Sequence, residues 1–130
     1  MDITFETDRF NLSSEKENFI NPCSFGEDVA NWLKPLLESK NVNVSDIYQE
    51  DWGWEINCAL ENQEYYIGVG GISESEGSNQ GEWRIMFTKK RSILESILGK
   101  NKLSSNDSLI HIIKDIINSH GFQNVSQAAL

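Results

Sequence analysis

The sequence predicts an α+β domain: an antiparallel sheet of four to five strands, with a meander over 52–90, packed on one face by two main helices at about 24–39 and 106–119. Three observations lead there. Hydrophobic residues recur with a helical period before residue 40, with a period of two between 42 and 88, and with a helical period again after 106. Each helical segment carries a single apolar stripe, so each needs one surface to cover. No linker, repeat or low-complexity tract interrupts the 130 residues, which makes 1–130 a single domain.

The opening "MDITFETDRF" alternates, with Ile3 and Phe5 on one side, and reads as a first strand. Residues 11–18, "NLSSEKEN", form a polar loop. The next stretch carries helix punctuation. Ser24 followed by Glu27 has capping-box spacing, and Glu27 with Asp28 suits the positive end of a helix. Phe25, Val29, Trp32, Leu33, Leu36 and Leu37 make its stripe. Pro35 lies inside, where a proline costs about 3 kcal/mol, so a kink or a fresh helical turn is expected there.

Strands follow at 42–48, 52–60, 65–72 and 83–88. Across the turn "ENQE", pairing Leu60 with Tyr65 aligns Cys58 with Ile67 and Ile56 with Val69. The core face then holds Trp54, Ile56, Cys58, Leu60, Tyr65, Ile67, Val69, Trp83, Ile85 and Phe87. Opposite lie Glu55, Asn57, Tyr66, Gly68, Gly70, Arg84 and Met86; Trp52 shares the parity of Trp54 but sits at the strand edge, half buried. "SESEGSNQG", 73–81, reads as a mobile polar hairpin loop. "SILESILGK" is a short helix stopped by Gly99. Leu109, Ile112, Ile113, Ile116 and Ile117 stripe the last helix, with Ser105 or Asn106 as its cap and Gly121 at its end. The tail from Phe122 adds a short strand or frays.

The net charge of -9 is regional. Between 41 and 83 there are acids and no Lys or Arg, whereas Arg84, Lys89, Lys90, Arg91, Lys100 and Lys102 follow with only Glu95 against them. Such a field disfavours nucleic acid and favours a basic protein partner. No apolar run approaches the roughly 18 residues of a membrane span, and the start lacks the pattern of a secretion signal, so a cytoplasmic protein without a membrane partner is expected.

Little points to chemistry. His111 falls off its helix stripe and His120 sits at a helix end, where both are structural or solvent-facing. Cys58 belongs to the core face; Cys23, ahead of the first helix, is the more reactive candidate. The paired acids Glu50 and Asp51, with Glu55, are the carboxylates available in principle for acid/base work, though such pairs are common on surfaces. No spacing suggests a metal site or cofactor, and "GVGG" at 68–71 lacks phosphate-loop spacing. Its glycines suggest close packing or a docking face.

Together "FINPCSFGEDVANWLKPLL" and "EDWGWEI" resemble a group of small bacterial proteins without an assigned activity, the likeness covering about residues 19–90. That resemblance implies a shared fold and brings no active site. In size and acidity the chain is also similar to immunity proteins, which neutralise a cognate toxin domain. The expected function is therefore a non-enzymatic, acidic protein-binding domain, an immunity protein that blocks a basic toxin such as a nuclease. Glu50, Asp51, Trp52, Glu55, Tyr66, Glu74 and Glu76 are the expected partner-binding residues, on a monomer or weak dimer with no cofactor or metal. The alternatives are a small enzyme using Cys23 or the Glu50/Asp51 carboxylates, and a phage-type or regulatory mimic of nucleic acid.

Overall fold

The computed structural model describes residues 1–128. The elements run β1 (Asp2–Thr7), α1 (Glu27–Glu38), β2 (Asn43–Glu50), β3 (Gly53–Leu60), β4 (Gln63–Ser73), β5 (Gly81–Lys89), α2 (Ile93–Leu98), α3 (Ser108–Ser119) and β6 (Gln123–Ala128). They form one antiparallel sheet of six strands in the order β2-β3-β4-β5-β1-β6. The expected four to five strands become six because the tail does add β6, paired to β1. Residues 129 and 130, the end of that tail, lie outside the described residues.

All the core-face residues of the meander are buried except Leu60, which packs partly covered at the margin. α1 and α3 lie over this face, and Val29, Leu33, Leu37, Leu109, Ile113 and Ile117 reach 0% exposure. The helix stripes were legible because burial against one surface selects one face of each helix. α1 runs as one element through Pro35, so no separate helix begins there.

The β3–β4 connection corrects the expected register. Glu61 and Asn62 both take positive φ, 53° and 64°, making a two-residue turn that pairs Leu60 with Gln63. Cys58 then faces Tyr65, Ile56 faces Ile67 and Trp54 faces Val69, a slip of two residues from the expected pairing. Such turns match the twist of the strands, and a slip of two leaves every side chain on its face.

The start of α1 also departs from expectation. Its N-cap is Gly26, at φ 136°, without a side-chain cap. Ser24 is fully buried instead, and its hydroxyl donates to the Glu50 carbonyl at 3.2 Å while its own carbonyl accepts the Trp54 indole N–H at 2.9 Å. The first-turn acids hold the preceding loop: Asp28 accepts the Asn11 N–H at 2.7 Å, and Glu27 accepts the Asn18 amide at 2.7 Å. That loop is less polar than its composition suggests, because Leu12 is buried in it against Gly71 and Gly81.

α3 starts two residues later than expected. Its N-cap is Asp107, whose carboxylate makes no cap bond but takes Lys89 Nζ at 3.2 Å and the Tyr65 hydroxyl at 3.1 Å, joining the helix start to β4 and β5. Burial, then the Asp107 charge, pushes the Tyr65 phenol well above its ordinary range. His120 is structural: its ring lies 5.1 Å from Trp32, and Nδ1 is 2.7 Å from the Ile116 carbonyl. The 74–80 connection is tied rather than free, with Glu74 N–H donating to Gln80 O at 2.8 Å and Asn79 Oδ1 accepting from Leu12 N–H at 3.0 Å.

The tightest backbone approach is at Gly53, where a Cβ would stand 2.1 Å from the Val69 carbonyl oxygen. Gly53→Ala should therefore cost about 3 kcal/mol or more in urea unfolding. Gly77→Ala, with open space around it, should cost only the roughly 1–2 kcal/mol of its positive φ. Equal losses would remove the close approach as a determinant of stability.

Candidate functional site

Helices cover one face of the sheet and leave the other bare. Cross-strand pairing arranges that face in rows. Tyr48, Glu55, Gly68, Met86 and Asp2 form one row, and Gly70, Arg84, Thr4 and Ser126 form the next. The glycines leave the middle of the face without side chains.

Trp52 fills part of that space. The Asp51–Trp52 turn joins Glu50 to Gly53 and lays the indole back over β4, so that a Cβ on Gly68 would meet Trp52 Cη2 at 2.7 Å and Met86 Cε at 3.2 Å. The ring is thus on the opposite side of the sheet from Trp54, contrary to the shared parity expected of the pair. A residue in a tight turn is released from strand alternation, and a bare glycine is the surface that receives its ring. The indole remains 44% exposed. Trp54 is core, as expected, at 7%.

Beside Trp52 lies a groove of about 480 Å³, lined by Gly70, Gly71, Ile72, Glu82, Arg84 and Met86. That volume lies within the range of about 300–1,000 Å³ typical of ligand sites. Ile72 is 75% exposed at its margin, an unusual place for a large aliphatic side chain without a partner.

The surrounding charge is mostly negative. Glu6 and Glu82 face each other across β1 and β5, a like-charged pairing that costs stability. Arg84 offsets part of this, at 3.3 Å from Asp2 and 4.0 Å from Glu82, while the Asn124 amide donates to Glu6. Along the face the Tyr48 hydroxyl donates to Glu55, whose carboxyl is raised by burial.

Of the expected binding residues, Glu50, Trp52, Glu55 and Tyr66 lie on or over this face. Asp51 is exposed in the turn at its rim, and Glu74 and Glu76 are exposed on the connection beyond Ile72. Sequence reasoning missed Tyr48, Ile72, Glu82, Asp2 and Glu6 as members. Ile72 had a signal in its parity, being apolar on the polar side of β4. Asp2 and Glu6 had none, since only the long-range pairing of β1 with β5 brings them there.

A family comparison returns nothing. No family model, curated protein or solved structure matches the chain. The site therefore stands on its own geometry.

Among the described residues no three His, Cys, Asp or Glu side chains gather to hold a metal. Cys23 is exposed and Cys58 buried, both as free thiols, so the two do not pair. Burial pushes the Cys58 thiol up to about 12. At pH 8 a thiol reagent should consequently titrate one thiol rapidly in the native protein and the second only on unfolding. Two fast thiols would overturn this assignment. Gly68→Ala should displace the Trp52 ring, red-shifting fluorescence and raising quenching by acrylamide, with a stability change below about 1 kcal/mol. Unchanged quenching would mean that the indole does not rest on Gly68.

Proposed function

We propose that the protein is a non-enzymatic binding domain whose uncovered sheet face receives a basic, partly apolar segment of a protein partner, and that it serves as an immunity protein against a basic toxin domain. The observation that carries this reading is the groove itself: the Trp52 ring, the exposed Ile72, and Met86 over a glycine floor, bordered by Glu82 and its neighbour Glu6. Apolar anchors of this kind supply most of the binding energy of an interface, while flanking charge sets partner choice and association rate.

A cationic side chain from the partner would meet Glu6 and Glu82 and relieve their mutual repulsion. An aliphatic or aromatic neighbour would lie between Trp52, Ile72 and Met86. Glu50, Asp51, Glu55, Glu74 and Glu76 extend the negative field that draws such a partner in, and Tyr66 extends the contact toward Thr88. Blocking is then steric, with no bond made or broken.

The direct test is coexpression with the product of the neighbouring reading frame as the candidate toxin, followed by surface binding at two salt concentrations. Trp52→Ala should weaken binding by about 2 kcal/mol, mainly through faster dissociation. Glu74→Lys with Glu76→Lys should slow association and flatten its salt dependence. Failure to protect against, or bind, the adjacent toxin would sink the immunity reading, and full binding by Trp52→Ala would remove the groove from it.

A further inference from the structure

Between β5 and α3 only Leu103 packs against the core, partly buried; α2 itself stands outside it. α2 has no buried residue, and Ile93, Leu94, Ile97 and Leu98 are 82%, 65%, 74% and 54% exposed. At this spacing the four side chains form one continuous aliphatic surface. The helix is well held. Ser92 and Glu95 make a complete capping box, and Gly99 ends the helix in the left-handed conformation. Arg91 donates from Nε to the Lys100 carbonyl at 2.9 Å and from Nη2 to that of Glu95 at 3.1 Å. The Asn101 amide donates to Gln63 at 2.8 Å, fastening the segment to β4. Such a knob is built to keep its aliphatic side outward.

At its root is a cavity of about 620 Å³ lined by Phe87, Thr88, Lys89, Arg91, Lys102 and Leu103. Lys89 is neutralised by Asp107, whereas Lys102 is exposed and makes no ion pair among the described residues. Lys100 is exposed beside it. Arg91, Lys100 and Lys102 thus place three cations beside the largest aliphatic projection of an acidic protein.

We propose that α2 and the basic cavity beneath it form one docking site for an anionic phospholipid surface, the four aliphatic side chains entering the acyl boundary and lipid phosphates lying against Arg91 and Lys102. A short aliphatic projection with a cationic collar matches the layering of a bilayer interface, apolar below and anionic above. No helix among the described residues is long and apolar enough to cross a membrane, and the expectation of no membrane partner rested on that missing span; surface docking does not need one. A second copy is the less suited occupant. Two knobs meeting would oppose their cationic collars, and a helix of six residues falls well short of the roughly 1,000 Å² that a stable interface needs. α2 follows the end of β5 that lies beside the β3–β4 turn, at the other end of the strands from Trp52, so docking leaves the groove open.

The full chain should sediment with vesicles of phosphatidylcholine and phosphatidylglycerol and stay free of pure phosphatidylcholine vesicles. Leu94→Asp with Ile97→Asp should lower partitioning about tenfold or more. Lys102→Glu should lower it about fivefold or more. Lys114→Glu, an exposed lysine on α3, should change it less than twofold, and all variants should keep the parent circular dichroism because α2 has no core contact. Glycerol phosphate at millimolar concentration should not release the protein from vesicles. Its release by glycerol phosphate alone would mean a soluble phosphate site. Equal partitioning onto both vesicle types, or α2-dependent self-association without lipid, would overturn the proposal. None of these outcomes depends on toxin binding.

Discussion

The carbonyl of Val69 is approached from two sides by backbone that has no room for a side chain. A Cβ on Gly53 would lie 2.1 Å from its oxygen, and one on Gly26 would lie 2.9 Å from it. Gly53 opens β3 and Gly26 opens α1, so this single peptide sets where the first helix begins against the sheet. The Trp54 indole closes the joint from within by donating to Ser24. Trp52, one residue before Gly53, is directed outward by the same turn, and the floor on which it rests belongs to the same strand as Val69. Core packing and the candidate binding face are therefore set from one place.

Much of the architecture was legible in the sequence because burial on one side imposes a period, and the period survives errors of register. Ile56, Ile67 and Ile85 could be assigned to the core without knowing that the β3–β4 turn holds two residues. The two helix stripes were legible for the same reason. What could not be read depended on partners distant in the chain. Ser24 has the local signature of a cap, yet the loop it sits in is pulled under β2 and β3, where its hydroxyl finds the Glu50 carbonyl. Leu12 lies within a polar stretch and is buried by strands some sixty residues later. The candidate site divides in the same way: the acids of β2 and β3 announced themselves by charge, whereas Asp2, Glu6 and Glu82 come together only through the pairing of β1 with β5.

Charge along this chain is sorted by structure as well as by sequence. The alternation that hides aliphatic side chains beneath the helices turns Asp46, Glu50, Glu55 and Glu82 toward the uncovered face, while Lys89, Lys90, Arg91, Lys100 and Lys102 lie at the far end of β5 and around α2. Two exposed apolar features thus have different surroundings, Ile72 and Trp52 beside carboxylates and the α2 aliphatics beside Arg91, Lys100 and Lys102. Each is offered to a partner of opposite charge.

The position of β1 has a consequence for the making of the protein. Its six residues are synthesised before every other strand, but they lie between β5 and β6, the last strands to emerge. Asp2 must wait for Met86, and at ribosomal speeds of about 5–20 residues per second that is a delay of roughly 4–17 s. During that interval Ile3 and Phe5 have no sheet to enter, whereas β2, β3 and β4 can already pair as neighbours in sequence. The nascent chain would hold a meander with an open edge, first at β4 and then at β5, closed only when β1 pairs with β5.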